Sequence, residues 1–342
     1  LKDKISRILV SFTYDDKPVI AGDLKVEGAV SALLKYALMP NLVQTTEGVP
    51  AIVHGGPFAN IAQGTNSIIG TELALCLADY VVTEAGFGFD LGAEKYFDIV
   101  APYGNFNPRI VVLVATVRAL KYHAGIAREE LNHPNAHAAV LGMANLRKHY
   151  ENIDKFNVPC IVALNRFPSD TDEEIRAVVK AAANGGMSIA PADIFNRGGG
   201  GGLELAEKTV RLIAGAEGTF TPLYDWKLPV EDKIFKVASE IYGAVSIDYQ
   251  PQARRNLDMI KKIGYDKLPV CIAKTQQSLS DNPNLLGLPS NFIVTVREIK
   301  IASGAGFLIP ITGEILRMPG LSKTPAAYNI NIDETGNIQG IV

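Results

Sequence analysis

Short apolar runs that end in glycine- or proline-rich turns and alternate with helix-like stretches predict an α/β protein with a doubly wound, mostly parallel sheet. Three observations carry this expectation. RIVVLVAT at 109–116 and VPCIVAL at 158–164 are continuous apolar strands, the kind buried on both faces of a parallel sheet. HGGPFANIAQGTNS at 54–67 and VTEAGFGFDLGAEKYFDI at 82–99 each carry a glycine-rich turn between a short apolar run and a helix-like segment, as strand ends do where they build anion pockets. The last third changes character, with the short strands PVCIA, FIVTV, IKIAS and FLIPIT separated by polar turns, and reads as an α+β unit.

The 342 residues suffice for two or three domains of roughly 100–200 residues each. The divisions expected are 1–135, 136–228 and 229–342. A net charge of −3 with 20% charged residues shows neither a basic nucleic-acid footprint nor an acidic tail, so no nucleic-acid partner is expected. The longest apolar run, IVVLVAT at 110–116, falls far short of the roughly 20 residues that cross a bilayer, and no membrane partner is expected. The opening LKDKISRILVSFTY has neither an initiator Met nor a signal-peptide pattern, which reads as a chain cut from something longer. Cys76, Cys160 and Cys271 lie far apart in apolar segments, suiting reduced core thiols and a cytoplasmic setting.

In chain order, 7–13 reads as a strand, 15–18 (DDKP) as a turn and about 25–38 as a helix. AIV at 51–53 leads through the first glycine-rich turn to a helix at about 66–78, for which Asn66 or Thr65 can supply the capping oxygen. YVVT at 80–83 repeats the strand-to-turn pattern and delivers Glu84. His133 and His137 have the i, i+4 spacing of a metal pair, but Pro134 lies between them and no third ligand is evident; no metal site is expected. Val140, Met143, Leu146, Tyr150 and Ile153 mark one face of a long helix. Asp170 and Glu173 resemble a capping box for a helix at 171–184.

Five glycines at 198–202 invite a phosphate reading. They fail the G-x-x-x-x-G-K-[ST] template, because no Lys-Ser or Lys-Thr pair in the chain follows a Gly. A turn that lets the backbone come close to a ligand or a neighbouring segment is the plainer reading. Helices follow at 203–214, at 230–241 with Val230, Ile234, Val237 and Ile241 on one face, and at about 251–263 with Leu257 and Ile260 inward. Asp333 to Gly336 read as a hairpin-like turn. Residues 165–170, after a buried strand, are similar to a guanine-reading N-K-x-D element, but Arg166 replaces the Lys and the spacing is one residue too long.

HGGPFANIAQGTNS, VTEAGFGFDLGAEKYFDI, VVLVATVRALK, VALNRFPSDT, LPVCIAKTQQSLS and GAGFLIPITGEILRMPGL together resemble the blocks of the formate–tetrahydrofolate ligase family, over roughly the last three fifths of that family's usual length. The resemblance implies a P-loop-NTPase-like α/β sheet, incomplete here, with a folate-platform unit and a C-terminal α+β unit. It implies that ATP, with Mg2+, phosphorylates formate and that the N10 amine of tetrahydrofolate attacks the resulting formyl phosphate. A monovalent cation, an N-terminal P-loop segment as partner and a homo-oligomer, a tetramer, are implied in the same way.

The matched positions imply His54 and Glu84 as catalytic candidates and Gly55, Gly56, Gly86, Gly88 and Asp90 as the formyl-phosphate-binding turns. Phe167, Pro168, Pro191 and Phe195 are implied as the folate platform. Three positions depart from the family's pattern. Phe195 stands where Trp is common, which keeps a stacking face but loses area and the indole N–H. Gln63 stands where His is common, so a proton-relay role does not carry over. Phe89 replaces a common Ala and is expected to narrow the site. The alternative to the enzyme is a folate-binding or regulatory fragment without phosphoryl chemistry.

Overall fold

The computed structural model describes residues 1–215, 218–313 and 323–340. The EILRMPGL half of the last family-like block, at 314–321, lies outside the described residues. Two antiparallel hairpins open the chain, β1 (Leu9–Phe12) with β2 (Pro18–Ile20) and β3 (Asn41–Gln44) with β4 (Pro50–Val53). Helix Glu27–Leu34 lies between them, shorter than the expected helical stretch, and a 3-10 turn at Tyr36–Leu38 finishes it.

β5 (Val111–Thr116), β6 (Cys160–Asn165) and β7 (Ile189–Ala192) form a parallel sheet in the order β5-β6-β7. Helices Val117–His123, Ala136–Leu141 and Met143–Asp154 connect β5 to β6, and Asp172–Asn184 connects β6 to β7. The fold is therefore mixed α/β with a parallel sheet. The described strands wind in one direction, so the reversal that makes a sheet doubly wound is not among them. All but the last residue of β6 are buried, as its apolar run predicts. β5 differs from expectation: Val112 and Val114 are exposed, because β5 is the sheet's edge and only one of its faces is covered. The 135/136 division falls between β5 and β6, which pair along six residues.

The last unit holds β8 (Ser246–Tyr249), β9 (Ile293–Ala302) and β10 (Phe307–Thr312) in the order β10-β9-β8, with β8 parallel and β10 antiparallel to β9. FIVTV and IKIAS merge into the single strand β9. PVCIA is not a regular strand but touches β10 through single bridges at Val270–Leu308 and Ala273–Ile311. β11 (Asn331–Ile332) and β12 (Ile338–Gln339) form the expected hairpin around 333–336.

Among the described residues two large apolar cores result, besides a small cluster of Ile99, Cys271 and Phe307. One lies under the parallel sheet and joins Ala115, Leu120, Met143, Leu146, Val162, Leu164, Val178 and Ile189. The other joins Phe89, Phe97 and Phe156 to Val230, Ile234, Val237 and Ile241 and to Leu257 and Ile260, the inward helix positions anticipated above. Val140 departs from its predicted stripe: the helix breaks at Gly142 and leaves it partly exposed. Cys160 and Cys271 are buried thiols, whereas Cys76 is exposed on helix Ile68–Leu77. Among the described residues no helix is long and apolar enough to cross a membrane.

Candidate functional site

The two glycine-rich turns lie side by side. A single antiparallel bridge joins Thr65 to Ala85, and the Gly86 amide donates to the Gly64 carbonyl at 3.0 Å. YVVT at 80–83 forms no strand; it runs irregularly into this bridge with Val82 exposed. Helix Ile68–Leu77 is capped by Ser67, whose Oγ accepts from the Gly70 amide at 2.8 Å, rather than by Thr65 or Asn66. Asn66 is occupied elsewhere, donating to the Ile52 carbonyl at 2.7 Å.

His54 contacts Ser67 Oγ through Nδ1 and the Ala37 carbonyl through Nε2, both at 2.7 Å. A donor at Nε2 and an acceptor at Nδ1 satisfy both contacts, so the ring straps β4 to the helix cap with no nitrogen left over. Gly55, Gly56 and Glu84 are exposed. Gly86 and Gly88 are half-buried, and Phe87 between them is held at φ 60° with its ring exposed. That conformation is rare for a bulky side chain and marks the tip of the turn as constrained.

Asp90 is not open to a ligand. Its Oδ2 pairs with Lys274 Nζ at 2.7 Å, both side chains being buried, and its Oδ1 lies 3.9 Å from His149 Nδ1. A Cβ on Gly88 would stand 2.5 Å from Asp90 Oδ1 and 3.3 Å from His149 Cε1, so the turn closes on this pair only because the residue is Gly. Burial works to raise the Asp90 pKa, but Lys274 and then His149 more than offset it and hold the carboxyl below its ordinary range. Burial lowers the pKa of His149, leaving a neutral imidazole at neutral pH. Phe89 points away from the turn into the aromatic core, with ring centroids 5.7 Å from Phe156 and 5.9 Å from Phe97, so it fills the core instead of narrowing the site.

The second half of the candidate site lies at the carboxyl ends of the parallel strands. In register, Leu164 and Asn165 of β6 face Pro191 and Ala192 of β7, and the Arg166 amide donates to the Ala192 carbonyl at 2.9 Å. Phe167 and Pro168 follow β6, and Phe195 follows β7 on the short helix Ile194–Arg197. Phe195 is 85% exposed and Phe167 36% exposed. The Arg118 guanidinium, from the helix after β5, sits 5.9 Å from the Phe167 ring centre. Three successive strands thus deliver Arg118, Phe167 and Phe195 to one edge, the usual place for a ligand in such a sheet.

The five glycines after this platform receive a neighbouring segment: the Gly199 amide donates to Glu47 Oε1 at 2.7 Å. A Cβ at Gly198 or Gly199 would meet the Glu47 carboxylate at 2.4 and 2.7 Å, which accounts for the run's lack of side chains there.

The model of the formate–tetrahydrofolate ligase family matches residues 1–342. The chain belongs to the formate–tetrahydrofolate ligase family. It is 80% identical over 341 residues to a formate–tetrahydrofolate ligase of Syntrophus aciditrophicus (strain SB), a match that takes in all of this chain and 60% of that relative. The chain therefore spans about three fifths of the length of that curated relative.

Within this family member, sequence reasoning passed over His149, Lys274 and Lys95. His149 and Lys274 lie 59 and more residues from Asp90 in the chain, and neither belongs to a local pattern; Lys274, in LPVCIAKTQQSLS, had only the resemblance to flag it. Lys95 is buried and its Nζ donates to the Ala59 carbonyl, tying the second turn's helix to the first turn.

Proposed function

We propose that this chain supplies the folate platform and one wall of the formyl-phosphate site of an ATP-dependent formate–tetrahydrofolate ligase, and works with the part of the protein beyond these residues. The observation that carries the reading is the convergence of Arg118, Phe167 and Phe195 at the carboxyl edge of the parallel sheet, in a chain of this family. Exposed aromatic faces suit a flat pterin, whose stacking on a ring is worth about 0.5–1.5 kcal/mol beyond its area. Phe167 is set by its own loop, since its amide donates to Asp170 Oδ2 at 2.8 Å. Phe195, with almost no packing of its own, acts as the adjustable face. Pro168 stiffens the loop after β6, and Pro191 stands in β7 opposite Leu164.

The amides at Gly55, Gly56, Gly86 and Gly88 support the anion side of the reading, because glycine lets a backbone N–H approach an oxyanion without a Cβ in the way. Asp90 acts on that wall from behind, holding the turn through Lys274. Glu84, exposed beside the turn, is the group placed to take a proton as the folate amine attacks. His54, with both nitrogens engaged, orients the first turn.

Among the described residues no cluster of three or more His, Cys, Asp and Glu could hold a metal; Mg2+ commonly enters with substrate phosphates, and it and the monovalent cation remain part of the proposal. No step is derived through them, and the phosphate clamp for ATP is assigned to the remaining part of the protein. A cytoplasmic homo-oligomer, a tetramer, and the doubly wound P-loop-like sheet belong to the same proposal.

The test is formation of 10-formyltetrahydrofolate from formate, ATP and tetrahydrofolate, measured with this chain alone and with the chain extended to the length of its relative. Activity in the extended protein that falls sharply in Phe167→Ala is expected. An inactive extended protein that still binds tetrahydrofolate would move the reading to the non-catalytic folate-binding fragment.

A further inference from the structure

Behind the 86–88 turn the chain runs through two wide turns of π-helix, Phe89–Ala93 and Tyr96–Val100. Such turns are rare and gather at functional positions. Asp90, Glu94 and Asp98 recur at every fourth residue along this segment, and all three are buried. Two ammonium groups are buried with them. Lys274 pairs with Asp90, and Lys95 donates to the Ala59 carbonyl. His149, the ring nearest Asp90, is neutral at neutral pH and adds no charge. Three carboxylates facing two ammoniums leave one surplus negative charge in a region closed to water.

The hydrogen bonding has a matching gap. Asp98 Oδ1 accepts from the Leu223 amide at 2.6 Å, but Asp98 Oδ2 and both Glu94 oxygens meet no N–H or O–H donor. An acceptor buried without a donor costs about 1–3 kcal/mol, and an unpaired buried charge more. Glu94 and Asp98 stand four residues apart on this continuous helical segment, the spacing that makes side chains neighbours on one face. One proton between them removes the surplus charge and satisfies two of the orphaned oxygens together.

We propose that Glu94 and Asp98 hold one shared proton as a permanent part of the folded protein at neutral pH. Glu94 is the acid and Asp98 the acceptor, since Asp98 already takes the Leu223 amide. Asp98 in turn pins the helix behind the glycine turn to the 220–226 segment, through the Leu223 amide and through Trp226 Nε1, which donates to the Asp98 carbonyl at 2.9 Å.

The groups facing the pair are Asp90 and Lys95 on its own segment, Tyr224 on the 220–226 segment, Lys236, Glu240 and Tyr242 on the 230–242 helix, Cys271 and Lys274 on the 270–274 segment, and His149 behind Asp90. Burial is the largest cause acting on both carboxyls and raises both, Asp98 to about 7. Unfolded, each titrates near ~4. The folded state therefore retains a proton that the unfolded chain has lost, and this contribution to stability falls as pH rises above about 4, by up to about tenfold in the folding equilibrium constant per pH unit, until Glu94, raised well above its ordinary range, ionises.

The experiment is urea unfolding of this chain between about pH 5 and about pH 7 for the wild type, Glu94→Gln and Asp98→Asn, with infrared spectra of the folded proteins. Glu94→Gln keeps an N–H donor toward Asp98 and removes the acid. Its stability is expected to fall less steeply with pH than the wild type's, by about one proton, and the carbonyl band of a buried protonated carboxyl should be present in the wild type and absent from the variant. Parallel pH curves, or a wild type without that band at neutral pH, would overturn the proposal. If neither variant folds, the wild-type band decides alone.

Discussion

Asp90 is legible in the sequence as part of a glycine-rich turn, but its chemistry is set by Lys274, 184 residues away, which no local pattern announces. Removing one member of a buried pair strands the other, so Asp90→Asn is expected to destabilise the chain by about 3–5 kcal/mol in urea unfolding. The double variant Asp90→Asn with Lys274→Met should cost less than the two single changes summed, because the stranded ammonium is gone. Gly88→Ala presses a methyl onto Asp90 Oδ1, and a loss of about 1–3 kcal/mol is expected by the same measurement. Phe195 is the opposite case. It is exposed, so Phe195→Ala should leave unfolding unchanged while weakening tetrahydrofolate binding about tenfold by titration calorimetry, and Phe195→Trp should strengthen it.

Among the elements, the helix Asp172–Asn184 shows how a cap can be nearly right in sequence and different in structure. Asp170 with Glu173 was the expected box; Thr171 with Glu174 is the one formed, because Asp170 Oδ2 is taken by the Phe167 amide. Glu174 does more than cap. Its Oε2 receives the Thr171 amide and hydroxyl, and its Oε1 receives Lys121 Nζ at 2.8 Å and the Asn135 amide at 2.9 Å. Burial acts to raise its pKa, but the Lys121 bond and then the Asn135 and Thr171 bonds outweigh it and bring the carboxyl to about 2.

With the folded pKa below the unfolded one, the stabilisation from Glu174 is complete above about pH 4.5 and is lost as pH falls toward about 2. Acid unfolding monitored by circular dichroism should therefore begin at higher pH in Lys121→Met than in the wild type. Thr171→Ala, which removes only the cap, should cost about 1 kcal/mol. Helix stripes were the most legible elements, since a 3.6-residue period names its buried face in advance. The 80–83 run was misread because a strand needs a neighbour, and apolar composition alone does not supply one.

Across the whole molecule, large apolar side chains lie open on the first quarter of the chain, among them Leu33, Tyr36, Leu42, Leu77 and Val82, and Val112 and Val114 of β5 are open as well. Surfaces of that kind mark a contact to be made. The chain extended to its relative's length is expected to bind less of an apolar dye per molecule, and its 27–82 amides should exchange more slowly with deuterium than in this chain alone. The sequence by itself determined the α/β class, the buried β6, the helix faces and the family, because periodicity and block motifs are local. The family's blocks also named Phe167, Pro168, Pro191 and Phe195, which lie in or just after β6 and β7. Tertiary structure alone decided that the two glycine turns touch, that His54 is engaged on both sides, that Phe89 is core and that Glu94 and Asp98 are sealed together. Those outcomes depend on what residues distant in sequence bring to the same place, and burial, which fixes the charge each group can carry, exists only once the chain has folded.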